Sequence, residues 1–242
     1  MINEKSKIKY FDYPYKIWVV DDFLDIDVLN TIKENWPDEN DDKWHGGHEF
    51  VGDEKNILEQ GMISFDIKDT HGYLKTFLEQ IHSKNFNLKI SEITNINNLI
   101  PDSSNRWSGI RVMKSGSFQA IHSDARINPE TGLRKELTCL LYFNENWKSD
   151  DFGMLEIWDD DVLNCVHEIE PIDNRLVIFQ NSDTSYHGVP IVNNNRKSIT
   201  WSILKEGKST NRRKALFVAR PTDDEKINEL GKIRVNVKDA HK

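Results

Sequence analysis

Up to Pro101 the apolar residues of this chain recur mostly at helical spacing, and beyond it they alternate with polar ones. A short strand is expected around "KIWVVDDF", residues 16–23. It leads into a helix over "DIDVLNTIKENWP", 25–37, in which Val28, Leu29 and Ile32 form the apolar stripe, Asp25 or Asp27 caps the start and Pro37 ends it. Residues 38–60 are polar and rich in Asp and Gly, which predicts a long loop. In "DTHGYLKTFLEQIHSK", 69–84, Tyr73, Leu74, Phe77, Leu78 and Ile81 share one helical face behind a cap at Asp69 or Thr70. "LKISEITNINNLI", 88–100, predicts a third helix, stopped by Pro101.

Strand candidates then follow closely: "GIRVMK", "SFQAIHSD", "ELTCLLYFN", "MLEIW", "CVHEIEP", "RLVIFQ", "HGVPIV" and "KSITWSILK", separated by Gly, Asn, Asp and Pro turns. Short strands at this density predict a sandwich or jelly-roll barrel of about 100 residues. The expected fold class is therefore mainly β with supporting helices (α+β), and 242 residues suit one domain. Within it, residues 1–104 are read as a helical support region, 105–205 as the jelly-roll core and 206–242 as a C-terminal extension.

Composition narrows the partners. A net charge of −8 argues against a binder of nucleic acid, which needs a basic stripe; the one basic segment, "KSTNRRKALFVAR" at 208–220, reads as a solvated tail. The N-terminus lacks the apolar run of a secretory signal and no run approaches a membrane span, so the expectation is a cytoplasmic protein with no membrane partner. Cys139 and Cys165 stand in apolar runs without a C-x-x-C partner and are read as buried free thiols.

Chemistry enters at "SFQAIHSDARI", 117–127. In a regular strand Phe118, Ala120, His122 and Asp124 form one row, so a histidine and a carboxylate converge. Chance alone supplies about 1.3 such His-x-acid pairs (8 × 40/242), so the pair needs company. Farther on, His187 starts one strand candidate and Arg196 the next. Alternation in "RKSITWSIL" sends Arg196, Ser198, Thr200 and Ser202 to one face and Lys197, Ile199, Trp201 and Ile203 to the other. The apolar face suits the N-terminal helices; the polar face suits a barrel mouth, where a guanidinium offers a fixed fork to a carboxylate. His48-Glu49 and His167-Glu168 begin like a zinc helix, but Gly52 and Pro171 stand where its second histidine would be, and His45, His71 and His82 read as polar positions of a loop and a helix.

Taken in order, the His-x-Asp at 122 and 124, "LTCLLYFNENW" (137–147), "FGMLEIW" (152–158), "NRLVIFQNSDTSYHG" (174–188) and "RKSITWS" (196–202) resemble the iron(II)- and 2-oxoglutarate-dependent dioxygenases, in particular the branch that includes prolyl 4-hydroxylases. The resemblance covers about residues 105–205 and implies a double-stranded β-helix, the cupin-like form of the jelly roll. It implies that His122, Asp124 and His187 hold Fe(II) as a two-His-one-carboxylate triad, which leaves coordination positions open for 2-oxoglutarate and O2. It further implies that Arg196 pairs the distal carboxylate of 2-oxoglutarate, that Tyr142 assists through its hydroxyl, that Leu155 packs on the cosubstrate, and that Ser198 and Thr200 support it. Hydroxylation of a C–H bond in a peptidyl proline or a small metabolite is the implied activity, so the partner is a small-molecule or peptide substrate; the alternative is a jelly-roll protein that binds a small acid or sugar without oxidising it. One departure is Phe152-Gly153, where the family strand usually begins Gly-Gly, a change that removes no ligand but could alter the turn.

Overall fold

The computed structural model describes residues 1–46 and 59–218. Most of the expected long loop, including His48-Glu49, and residues 219–242 lie outside the described residues.

The described strands are β1 (Lys7–Phe11), β2 (Ile17–Asp21), β3 (His45–Gly46), β4 (Glu59–Phe65), β5 (Ile100–Pro101), β6 (Gly109–Ser123), β7 (Arg134–Tyr142), β8 (Leu155–Trp158), β9 (Cys165–Ile169), β10 (Leu176–Gln180), β11 (His187–Val189), β12 (Arg196–Lys205) and β13 (Leu216–Phe217). Three helices, α1 (Ile26–Glu34), α2 (Gly72–Ile81) and α3 (Lys84–Thr94), precede the main run of strands. The strands curl into one antiparallel sheet in the order β1-β2-β10-β7-β12-β6-β11-β8-β9, the double-stranded β-helix expected from the resemblance. The N-terminal region is less helical than expected, since it contributes β1 to β5. β1 escapes the alternation because "KIKYF" lies at the sheet edge with almost every residue exposed, so no apolar face marks it.

The helices pack on one face of the sheet. Leu29, Ile32, Leu74, Phe77, Leu78, Ile81, Phe86 and Ile90 form one buried cluster with Leu137, Cys139 and Leu141 of β7 and Ile199, Trp201 and Ile203 of β12. That is the apolar face expected for "RKSITWSIL". Asp25 is the N-cap of α1, whereas His71, not Asp69 or Thr70, precedes α2, because residues 67–69 already form a separate turn. α3 begins four residues earlier than expected: the Ser83 hydroxyl accepts the Phe86 N–H at 3.1 Å. It ends at Asn95, whose φ of 54° is the left-handed conformation that terminates helices.

Two departures from regular pairing matter for the site. "GIRVMK" and "SFQAIHSD" join into the single strand β6, whose pairing with β11 shifts between His187↔His122 and Val189↔Gln119, three residues against two. β7 shifts likewise against β12, where Ile203↔Leu137 is followed by Leu204↔Lys135. Each extra residue is a β-bulge, which turns the side chains beyond it to the opposite face.

Candidate active site

On the face away from the helices, the sheet encloses a cavity of about 270 Å³. Larger clefts of about 410 and 380 Å³ elsewhere on the surface contain none of the expected site residues. All but Tyr142 line this cavity: His122, Asp124, His187, Leu155, Arg196, Ser198 and Thr200. Tyr142 is fully buried, and its hydroxyl accepts a hydrogen bond from Arg196 Nη2 at 3.0 Å.

His122 and His187 are cross-strand partners, with ring centroids 4.3 Å apart. Each donates Nδ1–H to the carbonyl two residues earlier, His122 to Ala120 and His187 to Ser185, both at 2.9 Å. The carbonyls fix the tautomer and leave both Nε2 lone pairs for a ligand, as hydrogen bonds to the far nitrogen of a metal-binding imidazole do. Burial lowers the His122 pKa and pushes that of His187 to about 3, so both rings are neutral at physiological pH. Asp124 follows β6 directly, and its carboxylate and the two imidazoles bring their ligand atoms within 4.8 Å of one another. Burial would raise the Asp124 carboxyl, but the Lys135 ammonium beside it outweighs that and holds the group well below the usual carboxylate range. Two neutral nitrogens and one anionic oxygen on one side of a cavity fit a divalent metal such as iron(II) with positions left open.

At another point of the cavity, Arg196 is only 4% exposed, and no carboxylate pairs it among the described residues. Its Nη1 meets the Met113 sulfur at 3.6 Å, its plane lies 4.8 Å from the Tyr142 ring centroid, and its Nε–H has no acceptor. A buried guanidinium without an anion is costly, so this arrangement fits a ligand that brings a carboxylate. Gly153 packs nearby against Val192: with φ at 73°, a Cβ added there would fall 2.4 Å from the Val192 side chain. The Phe152-Gly153 departure leaves the turn glycine-like, because Phe152 itself adopts φ 53° and ψ −153°.

Other expectations are corrected here. The row Phe118, Ala120, His122, Asp124 is broken by the bulge in β6, so Gln119 faces the cavity with His122 and Asp124. The basic segment is not simply a solvated tail: Arg212 Nη1 donates to the Ser123 carbonyl at 3.0 Å, β13 pairs with β6, and the Phe217 ring lies 5.1 Å from that of His122. Cys139 is buried but Cys165 only partly so, its thiol donating to the His167 carbonyl at 3.4 Å. His45 pairs with Asp66 at 3.0 Å on the exposed surface, away from the cavity. Sequence reasoning missed Lys135, Trp107, Arg111 and Phe217 as lining residues; a bulge turns Lys135 inward and a late two-residue strand brings Phe217, neither of which alternation reveals.

Residues 108–203 match the family model of the 2OG-Fe(II) oxygenase superfamily. No curated protein matches the chain in sequence. Among solved structures, a prolyl-4-hydroxylase from Pseudomonas putida is similar with a TM-score of 0.58 and 19% identity, over 79% of this chain and 93% of that one. A prolyl hydroxylase from Trichoplax adhaerens, in complex with a hypoxia inducible factor oxygen degradation domain peptide fragment, has a TM-score of 0.58 and 17% identity, over 78% and 83%. A 2OG-Fe(II) oxygenase family oxidoreductase from Burkholderia pseudomallei has a TM-score of 0.54 and 12% identity, over 81% and 88%. At these identities the structural likeness establishes the fold.

Proposed function

Residues 108–203 match the 2OG-Fe(II) oxygenase superfamily, and from that premise we propose that the chain is a 2-oxoglutarate-dependent hydroxylase. His122, Asp124 and His187 hold Fe(II), and Arg196 receives the distal carboxylate of 2-oxoglutarate with Tyr142 beside it. Leu155 packs against the cosubstrate chain, and Ser198 and Thr200 border it. With iron bound, the metal and 2-oxoglutarate supply the oxidising chemistry, in which decarboxylation to succinate is coupled to hydroxylation of a C–H bond by O2.

The side chains orient and exclude. Leu140, Leu155, Phe179, Val189 and Phe217 give the cavity an apolar wall that keeps bulk water from the reacting groups. The Nδ1 protons of both histidines stay committed to backbone carbonyls, so each ring keeps one orientation. The substrate is a peptidyl proline or a small metabolite; the peptide held by the Trichoplax neighbour favours neither over the other for this chain.

The observation that carries this reading is a buried guanidinium without a carboxylate partner among the described residues, in the same cavity as two histidines and an aspartate. Anaerobic titration of the metal-free protein with Fe(II) and then 2-oxoglutarate tests it. The weak visible charge-transfer band of a chelated 2-oxo acid is expected, and it should vanish in His187→Ala. Metal binding without that band would instead favour a protein that binds small acids without oxidising them.

A further inference from the structure

The triad accounts for one oxygen of Asp124; the other is held by three donors. Lys135 Nζ lies 2.6 Å and Thr138 Oγ1 2.9 Å from Oδ2. The Asn181 amide, oriented so that its oxygen accepts the Thr138 backbone N–H at 3.0 Å, donates to the same Oδ2 at 3.2 Å. Oδ1 lies 3.7 Å from His122 Nε2. Lys135 reaches this place only because of the bulge in β7: regular alternation would put it with Leu137 on the helix face, yet it lines the cavity with Thr138. Its ammonium is buried and its far side lies 5.1 Å from the Trp107 ring centroid, so the lysine is fixed from both sides.

We propose that Lys135 is a positioning residue for the metal centre: by saturating Oδ2 it confines Asp124 to one donor atom, Oδ1. This rests on the reading of His122, Asp124 and His187 as metal ligands. A carboxylate free at both oxygens can bind a metal through one or both, and chelation through both would consume a position that the cosubstrate needs. Three donors on one oxygen, one of them an ammonium, exceed its lone pairs and remove that option. The lysine acts through Asp124 and touches neither cosubstrate nor substrate in this role.

The test uses the full chain loaded anaerobically with Co(II), whose visible spectrum reports coordination number, followed by titration with 2-oxoglutarate. Lys135→Met, Lys135→Arg and the unaltered protein are compared. In Lys135→Met the Co(II) spectrum is expected to change shape, and about tenfold more 2-oxoglutarate should be needed to perturb it, while Co(II) still binds. Lys135→Arg should retain the original spectrum. A structural role alone would lower thermal stability and Co(II) affinity together without changing the shape of the bound spectrum. Where Lys135→Met fails to fold, Thr138→Val removes a different donor from the same oxygen and should shift the spectrum in the same direction. Spectra and titrations of the folded variant that superimpose on those of the unaltered protein would overturn the proposal. Failure of the unaltered protein to bind Co(II) would refute the ligand assignment itself, so the two failures are distinguishable.

Discussion

On the helix side of β7 and β12, Leu137, Cys139, Leu141, Ile199, Trp201 and Ile203 are each at most 1% exposed and belong to the main core. One residue over, Thr138, Leu140, Tyr142, Arg196, Ser198 and Thr200 occupy the other side of the same backbone and turn to the cavity or its border. The first face buries apolar surface, worth roughly 25 cal/mol per Å², while the second buries a guanidinium that no carboxylate pairs among the described residues. The comparison teaches that the site depends on stability generated one residue away. A sheet can hold an unpaired cation in place because its reverse side is packed.

Substitutions should separate the two faces. The largest effect is expected on the cavity side, where His122→Ala should reduce succinate formation to background while the variant stays folded by circular dichroism. Retained turnover would remove His122 from the ligand set. On the helix side Trp201→Ala should cost about 3–5 kcal/mol of stability in denaturant unfolding, with 2-oxoglutarate binding preserved in the folded fraction. If binding fell as steeply as stability, the two faces would not be separable. Arg196→Met should raise the 2-oxoglutarate needed for half-saturation roughly 10- to 100-fold, the loss of a charge-assisted pair of about 1.5–3 kcal/mol, with Fe(II) affinity unchanged. Equal cosubstrate dependence in the variant would assign the carboxylate to another residue.

Smaller effects sharpen the contrast. Phe152→Gly should stabilise the protein by about 1 kcal/mol, because phenylalanine occupies a backbone region nearly reserved for glycine. A loss of stability on thermal melting would mean that the ring, though half exposed, makes contacts that outweigh the strain. His82 lies beside the helices, with Nδ1–H donated to the Leu78 carbonyl at 2.7 Å and Nε2 3.0 Å from the Ser108 hydroxyl. Burial lowers its pKa below the ordinary 6.5. A lowered folded value favours the neutral ring, so its contribution is complete above pH 6.5 and is lost as pH falls from there through the folded pKa. The melting temperature should fall across that window, and less so in His82→Gln; parallel pH profiles would exclude the histidine as the cause.

The parts of the molecule legible in the sequence are those with regular periods. Leu74, Phe77, Leu78 and Ile81 mark α2 because a helix must present one apolar stripe, and the two faces of β12 follow from its unbroken alternation. The candidate ligand set depended on the resemblance of spaced motifs, since His122 and His187 meet through a pairing between strands that local pattern does not encode. Lys135 and Gln119 were illegible for a sharper reason: one extra residue in β7 and one in β6 invert the side to which they point. β13 was missed because two residues carry no period, and β1 because neither of its faces is buried.

Phe217, which stands against His122 as a wall of the cavity, has a consequence in the order of synthesis. His187 follows His122 by 65 residues (187 − 122) and Phe217 follows it by 95 (217 − 122). At about 5–20 residues per second, a growing chain carries His122 and Asp124 without their third partner for roughly 3–13 s, and without the closing wall for roughly 5–19 s. If the triad holds metal as proposed, ribosome-bound chains that stop before His187 are expected to retain none, so that the centre forms after most of the barrel's strands have been made rather than seeding them.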